Sequence, residues 1–231
     1  MISIKNGAIG FDSTLFSIED VEFSRGQVHV LMGRNGIGKS AFLNTLSGIL
    51  APIEGTLDFD GNVFSQYSSK EISSRIAYVS SAPRGVPFLS VDDYLLLGRY
   101  KHTNVFGRGS ASDLAAVLDA KQLFDIEHLS SKYTNELSSG EFHLCAIAKA
   151  YIQQTDYILL DEPTSHLDYA NKIRVYELLG QLAKNNNKGI IISTHDLDLA
   201  FKFSFQFYLI SSQQQKLFSI SNFKEVEKEF K

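Results

Sequence analysis

The feature that constrains this chain most is a glycine-rich segment of sequence GRNGIGKS, from Gly33 to Ser40. An apolar, strand-like run (residues 27–32) precedes it, and a helix-like run (residues 41–46) follows it. The segment matches the pattern G-x-x-x-x-G-K-[S/T], whose glycines let the backbone curl so that successive N–H groups point at one anion. The following helix adds free amides and the positive end of its dipole. The pattern therefore predicts a phosphate-binding loop rather than an ordinary turn, with Lys39 on the terminal phosphates and the Ser40 hydroxyl on Mg²⁺.

The composition is that of an ordinary globular chain and leaves the number of domains open. At 231 residues, 44% of them hydrophobic, the chain can form one large domain or two small ones. The net charge of −4 argues weakly against nucleic acid as the main partner, because phosphate backbones are bound by basic surfaces. Cys145 is the single cysteine, which excludes an intrachain disulfide framework. Its apolar helical surroundings favour a buried thiol over a reactive one.

No segment of the sequence indicates secretion or membrane insertion. The first seven residues lack the basic-then-apolar order of a signal peptide. No apolar run approaches the roughly 18 residues that a spanning helix requires. We therefore expect any role at a membrane to depend on a partner protein.

The periodicity of apolar residues divides the chain into three stretches that we expect to form a single domain. Residues 1–83 are predicted to form strands and turns around the helix after the loop, with a hairpin at Asp60-Gly61. Residues 84 to about 152 carry helix-period segments and are predicted to be a helical subdomain inserted into an α/β core. In residues 153–231 the strand–helix alternation resumes, followed by a hairpin at 205–220 and a charged helical tail from Asn222.

Two carboxylates, Asp161 and Glu162, follow the apolar strand of residues 157–160. They are expected at the C-terminal edge of a parallel sheet, where open α/β sheets bind ligands. There Asp161 can hold Mg²⁺ through its water shell, and Glu162 can act as a general base that polarises an attacking water. An acidic turn that caps a helix beginning at Pro163 is the alternative.

His195 follows the next parallel strand, residues 189–193, and belongs to the same sheet edge. A lone histidine is more often structural, but this position lets it reach the terminal phosphate. The other five histidines show no metal-ligand spacing and predict no zinc site: His29, His102, His128, His143 and His166.

The segment LSSGE, from Leu137 to Glu141, opens an apolar helix and is a second candidate anion site. Ser138 is a capping residue, and the amides behind it are exposed. One protein has little use for two phosphate cradles and one catalytic carboxylate. Two copies arranged head to tail, each closing its cradle on the other's nucleotide, would use both.

In combination, these motifs resemble the ATPase subunits of ABC transporters. The chain carries the Walker A loop GRNGIGKS, the signature LSSGE, the Walker B run YILLDE, the D-loop SHLD (Ser165–Asp168) and the switch His195 in family order. The resemblance implies an α/β P-loop NTPase core with a mixed, mainly parallel sheet, an N-terminal antiparallel β subdomain and an inserted α-helical subdomain. It also implies ATP, Mg²⁺ and a homodimer beneath transmembrane permease subunits at the cytoplasmic face of the cell membrane. An external substrate-binding protein acting through the permease is a further implied partner.

The resemblance assigns roles to residues at the matching positions. Glu162 and His195 would be catalytic, and Ser40 and Asp161 would hold the metal. Phe11 falls where the family places an aromatic side chain that stacks on adenine, with a core position as the alternative. The other nucleotide contacts would be Gly33, Arg34, Asn35, Gly36, Ile37, Gly38, Lys39, Ser40 and Ala41, with Ser138, Ser139 and Gly140 of the signature and Asp168 of the D-loop.

A narrower resemblance concerns the transported substrate. Tyr94–His102 (YLLLGRYKH), Phe106–Arg108 and Ser193–Ala200 (STHDLDLA) are similar to the ATPases of iron–siderophore, haem and cobalamin importers. This similarity implies import of such a substrate. A soluble ABC ATPase that serves assembly or repair would share every chemical motif and is the first alternative.

The chain departs from the family's pattern in three places. Ser81 stands where a glutamine normally links Mg²⁺ and the attacking water to the permease contact, and a serine is too short to do both. His143-Leu144 replaces a Gln-Arg pair after the signature, and Ala41 replaces a threonine. Because the Ser81 change bears on coupling, a nucleotide-binding regulator with weakened hydrolysis is the second alternative.

Overall fold

The computed structural model describes residues 1–101 and 109–220, together with Val226 and Glu229. Its central element is a ten-stranded sheet. The strands are β1 (Ile2–Gly10), β2 (Thr14–Phe23), β3 (Val28–Met32), β4 (Glu54–Phe59), β5 (Asn62–Val63), β6 (Ile76–Val79), β7 (Tyr157–Asp161), β8 (Gly189–Ser193), β9 (Gln206–Ser211) and β10 (Lys216–Ile220).

The strand order is β5-β4-β1-β2-β10-β9-β3-β8-β7-β6. Five neighbouring strands, β9, β3, β8, β7 and β6, pair in parallel. Every residue of β3, β7 and β8 is buried, as expected where helices cover both faces of a sheet. The carboxyl ends of these strands therefore meet at one edge, where ligands bind in open α/β sheets.

The other half of the sheet is antiparallel. β1 pairs with β2 and β4, and β4 pairs with β5 across the turn Asp60-Gly61. Both turn residues have positive φ, +49° and +86°, as a two-residue hairpin requires, so the predicted hairpin is confirmed. β10 lies parallel to β2 and antiparallel to β9, which joins the two halves and confirms the predicted mixed sheet.

Helices cover both faces of the sheet. Those in the described part of the chain are α1 (Lys39–Leu46), α2 (Ser69–Arg75), α3 (Val91–Leu96), α4 (Ala111–Phe124), α5 (Ser139–Ile152), α6 (Tyr169–Asn186) and α7 (Leu197–Ala200). One apolar core contains residues of α1, and the other contains residues of α3 to α6. In the residues that the structure describes, no helix has the length and apolar character needed to cross a membrane.

The helices α3, α4 and α5 follow one another in the chain between β6 and β7, in the stretch for which a helical subdomain is predicted. Arg99, which lies just after α3, connects these helices. Its Nε forms a buried ion pair with Asp113 Oδ1 of α4 at 2.8 Å, and its Nη1 donates to Ile152 O of α5 at 3.1 Å. The Arg99 guanidinium and hydrogen bonds from Ser110 hold the pKa of Asp113 at about 2. Cys145 of α5 is fully buried, as predicted, and burial raises the pKa of its thiol to about 12.

Some sequence predictions concern residues that lie outside the described ones. They are His102 and Phe106–Arg108 of the importer-like segment and the helical tail from Asn222, of which Val226 and Glu229 alone are described. Within the described part, α2 is an element that the sequence patterns did not predict.

Candidate nucleotide site

The glycine-rich loop is held between β3, which ends at Met32, and α1, which begins at Lys39. The predicted strand–loop–helix unit is therefore confirmed. Gly36 and Gly38 have φ angles of +78° and +112°, which glycine adopts without strain and other residues rarely adopt. At Gly38 a side chain would also lie only 3.0 Å from atoms of Leu15 and Phe16. Larger residues at these positions would therefore strain the loop in this conformation.

The Lys39 side chain folds back across the loop. Its Nζ donates to the carbonyl oxygens of Gly33 at 2.9 Å and Arg34 at 3.2 Å, and only 6% of the residue is exposed. Burial lowers the pKa of Lys39, and the nearby carboxylates of Glu162 and Asp161 oppose this change. The Lys39 ammonium group thus donates to carbonyl oxygens of the loop, and phosphate oxygens can replace these carbonyls as acceptors.

A cavity of about 510 Å³ opens at the loop, within the range of roughly 300–1,000 Å³ that is usual for small-molecule sites. Phe11 lies at this cavity and is 64% exposed, so the alternative of a core position is wrong and the ring is accessible to a flat ligand. The cavity is lined by Phe11, Leu15, Asn35, Gly36, Gly38, Lys39, Ser40, Ala41 and Glu162.

Asp161 is fixed at the end of β7 by two hydroxyl groups. Ser40 Oγ donates to Asp161 Oδ2 at 2.6 Å, and Ser193 Oγ donates to Asp161 Oδ1 at 2.5 Å. The register of β7 on β8 sets Asp161 opposite Ser193, and Asp161 is only 2% exposed. Carboxylate and hydroxyl oxygens are the ligands that Mg²⁺ prefers, so the pair Ser40 and Asp161 fits the predicted metal.

Glu162 has a backbone φ of +50°, which is uncommon for any residue other than glycine. Its N–H donates to Ser193 Oγ at 2.9 Å and lies 3.2 Å from Ser193 O, which holds this conformation. The side chain lines the cavity, and its Oε2 lies 3.5 Å from His195 Nδ1. The two residues predicted to be catalytic are therefore adjacent at the sheet edge.

The loop that carries His195 is braced by side chains from α6. Thr194 Oγ1 accepts hydrogen bonds from Asp196 N and from Tyr176 Oη, each at 3.0 Å. Lys172 Nζ forms an ion pair with Asp196 Oδ2 at 2.8 Å. This brace fixes the backbone on both sides of His195 and leaves about half of its side chain exposed, at 49%.

Ser138, Ser139 and Gly140 lie at the start of α5, and none of them lines the cavity at the loop. The Ser138 N–H donates to Glu141 Oε2 at 2.8 Å, and Ser138 Oγ accepts from Glu141 N at 3.2 Å. The predicted capping role of Ser138 is therefore confirmed. Within one molecule, the two candidate phosphate sites do not share lining residues.

The first turn of α5 packs against the SHLD segment. A side chain at Gly140 would come within 3.0 Å of His166 O and 3.1 Å of Leu167. The ring of His143 lies 5.3 Å from that of His166 and is 2% exposed, and its Nε2 has no hydrogen-bond partner within the described chain. Burial, and the proximity of His166, lower the pKa of His143, which favours a neutral ring.

Asp168 caps the N-terminus of α6, and its carboxylate accepts hydrogen bonds from Asn171 N at 2.9 Å and Asn171 Nδ2 at 3.0 Å. It does not line the cavity at the loop of its own chain. Its predicted nucleotide contact would therefore have to be made with a second copy.

Ser81 lies two residues beyond the end of β6. Val79 pairs with Leu160 in the parallel register of β6 on β7, so the same register would set Ser81 opposite Glu162. Ser81 is half-buried. That register would bring the backbone at Ser81 near the predicted base, although the serine side chain is short.

The loop after Ser81 is pinned to the segment that leads into the signature. Val86 N donates to Thr134 Oγ1 at 2.9 Å, and Thr134 N donates to Leu89 O at 2.8 Å. Thr134 is buried and lies three residues before Leu137. The two segments are thus connected by hydrogen bonds from both the side chain and the backbone of Thr134.

Ser193 is the functional residue that the sequence did not single out. It bonds both Asp161 and Glu162, which fixes the two carboxylate-bearing residues relative to each other. The available signal is a hydroxyl at the last position of a buried strand next to the carboxylate strand. Leu15 of β2, which lines the cavity, carried no such signal.

Comparisons with known proteins identify the family. The family model described as ABC transporter matches residues 18–165. A protein of Haemophilus influenzae described as an uncharacterized ABC transporter ATP-binding protein is 40% identical over 199 residues, which cover 85% of this chain and 74% of that protein. The chain belongs to the ABC transporter family.

This ABC ATPase is also similar to the ferric enterobactin transport ATP-binding protein FepC of Escherichia coli. The two are 33% identical over 197 residues, covering 85% of this chain and 72% of FepC. A solved structure of a metal-chelate type ABC transporter in an inward-facing conformation matches with a TM-score of 0.79 and 28% identity, over 95% of this chain and 82% of that one. The predicted fold, family and ATPase class are thereby confirmed.

Proposed function

We propose that this ABC ATPase energises import of an iron–siderophore, haem or cobalamin-type substrate through a partner permease. The names of its relatives support this substrate class, since FepC is named for ferric enterobactin transport and the matched transporter for metal chelates. In this role the ATPase would lie peripherally on the cytoplasmic face of the cell membrane.

The observation that carries the catalytic part of the proposal is the meeting of four side chains at one sheet edge. Ser40 bonds Asp161 at 2.6 Å, and Glu162 lies 3.5 Å from His195. Ser40 and Glu162 both line the cavity that Lys39 also lines. A hydroxyl, two carboxylates, an imidazole and an ammonium group are the chemical groups that phosphoryl transfer to water requires.

In the proposed reaction, Glu162 accepts the proton of a water that attacks the terminal phosphorus of ATP in line, and ADP is the leaving group. His195 donates a hydrogen bond to the terminal phosphate. The Lys39 ammonium leaves the loop carbonyls and donates to the β- and γ-phosphate oxygens. These hydrogen bonds are stronger because the acceptor is charged. The ring of Phe11 stacks on the adenine.

The metal would be held by Ser40 and Asp161. When bound, Mg²⁺ supplies positive charge that offsets the charge on the phosphate oxygens. Ser193 keeps the Asp161 carboxylate oriented toward Ser40 by binding its other oxygen. The same serine accepts the N–H of Glu162, so the metal ligand and the base keep a fixed spacing.

Two copies are proposed to close around each nucleotide in a head-to-tail dimer. Ser138 and Ser139 are exposed at the start of α5, where helix amides can bind an anion. They do not line the cavity of their own chain, which supports a role at the partner's nucleotide. Asp168 would approach the same interface from the SHLD segment.

The transport proposal is tested with the complex that the full chain forms with membrane subunits purified alongside it. In vesicles that enclose both the ATPase and ATP, we expect labelled ferric siderophore, haem or cobalamin to accumulate inside. A complex carrying Glu162→Gln should accumulate none. Recovery of no membrane subunit would favour the assembly or repair ATPase. A complex that hydrolyses ATP and takes up none of the three would reject the substrate class.

Ser81→Gln tests whether the serine weakens the link between hydrolysis and the permease. We expect the glutamine to restore one hydrogen bond to the reacting centre and to raise substrate-stimulated ATP hydrolysis by the complex roughly threefold or more. Ser80→Gln, which adds the same side chain at the exposed neighbouring position, is the control. No response, or a fall, at position 81 would mean that the site is built around the serine.

A further inference from the structure

The glycine-rich loop is tied to the C-terminal segment of the chain. Arg34, the second residue of the loop, donates from Nε at 3.2 Å and from Nη2 at 2.8 Å to the carbonyl oxygen of Glu229. Two donors of a planar guanidinium on one acceptor restrict both the distance and the direction of the contact. A side chain of the phosphate-binding loop is thus held by a residue 195 positions later.

Glu229 is itself anchored through its carboxylate. Its Oε2 accepts from Ser211 Oγ at 2.7 Å, and its Oε1 accepts from the N–H and the hydroxyl of Ser212, each at 2.5 Å. Burial alone would raise the pKa of Glu229, but these hydrogen bonds and the charge of Arg34 outweigh it and lower the pKa. The carboxylate is therefore charged at neutral pH, both of its oxygens accept hydrogen bonds, and 4% of the residue is exposed.

A second anchor lies three residues earlier. Val226 is 1% exposed and belongs to the apolar core that contains residues of α3 to α6, together with Leu209 of β9 and Ile220 of β10. The described residues of the C-terminal segment are therefore fixed by apolar burial at one position and by ionic hydrogen bonds at the other.

The contact continues from Arg34 into the loop. The carbonyl oxygen of Arg34 accepts from Lys39 Nζ at 3.2 Å and from Ile37 N at 3.3 Å. Hydrogen bonds at the side chain and at the backbone carbonyl of Arg34 thus connect Glu229 with the Lys39 ammonium group that is predicted to bind the phosphates.

We propose that Glu229 is a positioning residue for ATP binding, which orders the glycine-rich loop through Arg34 before the nucleotide arrives. A loop that is already ordered loses less conformational freedom on binding, so the nucleotide binds more tightly. Glu229 does not line the cavity around Glu162, so the C-terminal segment acts on the affinity for ATP and leaves the chemical step unchanged. The inference rests on ATP binding at the loop and is independent of the transported substrate.

The test is a double-mutant cycle on the purified full chain with Glu229→Ala, Arg34→Ala and the double variant. We expect the KM for ATP, and the Kd for a fluorescent ATP analogue, to rise roughly three- to tenfold in each single variant. The kcat of the Glu229→Ala variant should stay within about twofold of the wild-type value. Both substitutions remove the same connection. The double variant should therefore have the same KM and Kd for ATP as the single variant that binds ATP less tightly.

Arg174→Ala is the control, because it removes an arginine of α6 that forms an exposed ion pair with Asp125 at 2.9 Å, and it should leave the KM unchanged. Ser212→Ala removes one donor from Glu229 and should raise the KM by a smaller factor; with Arg34→Ala it decides the question if Glu229→Ala does not fold. Additive effects of the two alanine variants, or a lower kcat at unchanged KM, would overturn the proposal. These assays require no permease, so a failed uptake experiment would leave their outcome intact.

Discussion

Replacing Glu162 with glutamine is expected to lower the rate of ATP hydrolysis by about 100- to 10,000-fold, the usual contribution of a general base. Glutamine keeps the size of the side chain and one acceptor oxygen but cannot accept the proton of the attacking water. ATP binding should persist, since the loop and Lys39 are untouched. We therefore expect the variant with ATP and Mg²⁺ to elute as a stable dimer in size-exclusion chromatography. The wild-type protein should lose this ATP-dependent dimer once the ATP has been hydrolysed.

The control for this prediction is Glu177→Gln, the same chemical change on an exposed position of α6. It should leave turnover and elution unchanged. Turnover of the Glu162 variant at the wild-type rate would remove Glu162 from the role of base. If the Glu162 variant lost turnover but formed no ATP-dependent dimer, the role of Glu162 as base would stand. The proposed closure of two copies around the nucleotide would be contradicted.

Replacing Lys39 with alanine is expected to weaken ATP binding by roughly 100-fold or more, because two charge-assisted hydrogen bonds to phosphate are lost. The measurement is thermal unfolding with and without ATP. A ligand present at about 100 times its Kd stabilises the folded protein by about 2.7 kcal/mol. The wild-type protein should show this stabilisation, and the variant should show almost none at the same ATP concentration.

Lys39 also bonds the loop carbonyls of Gly33 and Arg34, so the variant loses these contacts even without nucleotide. The comparison within each protein, with and without ATP, separates this loss from the loss of binding. Lys184→Ala removes an exposed lysine from α6 and is the matched control. Equal stabilisation of the Lys39 variant and the wild-type protein by ATP would contradict the role given to Lys39.

The parts of the site that the sequence predicted are those in which the signal is local. The loop Gly33–Ser40 carries its chemistry in consecutive residues between a strand and a helix. Asp161 and Glu162 follow a buried strand directly, and His195 follows the next one. No knowledge of the path of the chain was needed to expect these groups at one sheet edge, because parallel strands share that edge.

The parts that the sequence did not predict depend on contacts between distant segments. Ser193 reaches Asp161 because of the register between β7 and β8, and a serine at a strand end carries no such information by itself. The exposure of Phe11 and the contact between Arg34 and Glu229 likewise depend on packing. These features follow from tertiary structure, which residue spacing along the chain does not specify.

Two elements lack the apolar periodicity by which strands and helices are predicted. The strand β1 was not singled out because Lys5 and Asn6 are exposed in succession and Asn6 has a φ of +47°, which interrupts the alternation of apolar residues. The helix α2 buries none of its residues, so it has no apolar period. Its signal was the capping box of Ser68 and Glu71, which is independent of hydrophobicity.

The position of β10 has a consequence for the synthesis of the protein. This strand lies between β2 and β9 and joins the antiparallel half of the sheet to the parallel half, yet it follows all nine other strands in the chain. While the ribosome is still translating residues before 216, the backbone groups along one side of β2 and of β9 have no partner strand. Unpaired strand edges associate with other chains. A nascent chain that lacks β10 therefore has two unpaired strand edges that can associate with other chains, and a chaperone would protect them until this strand emerges.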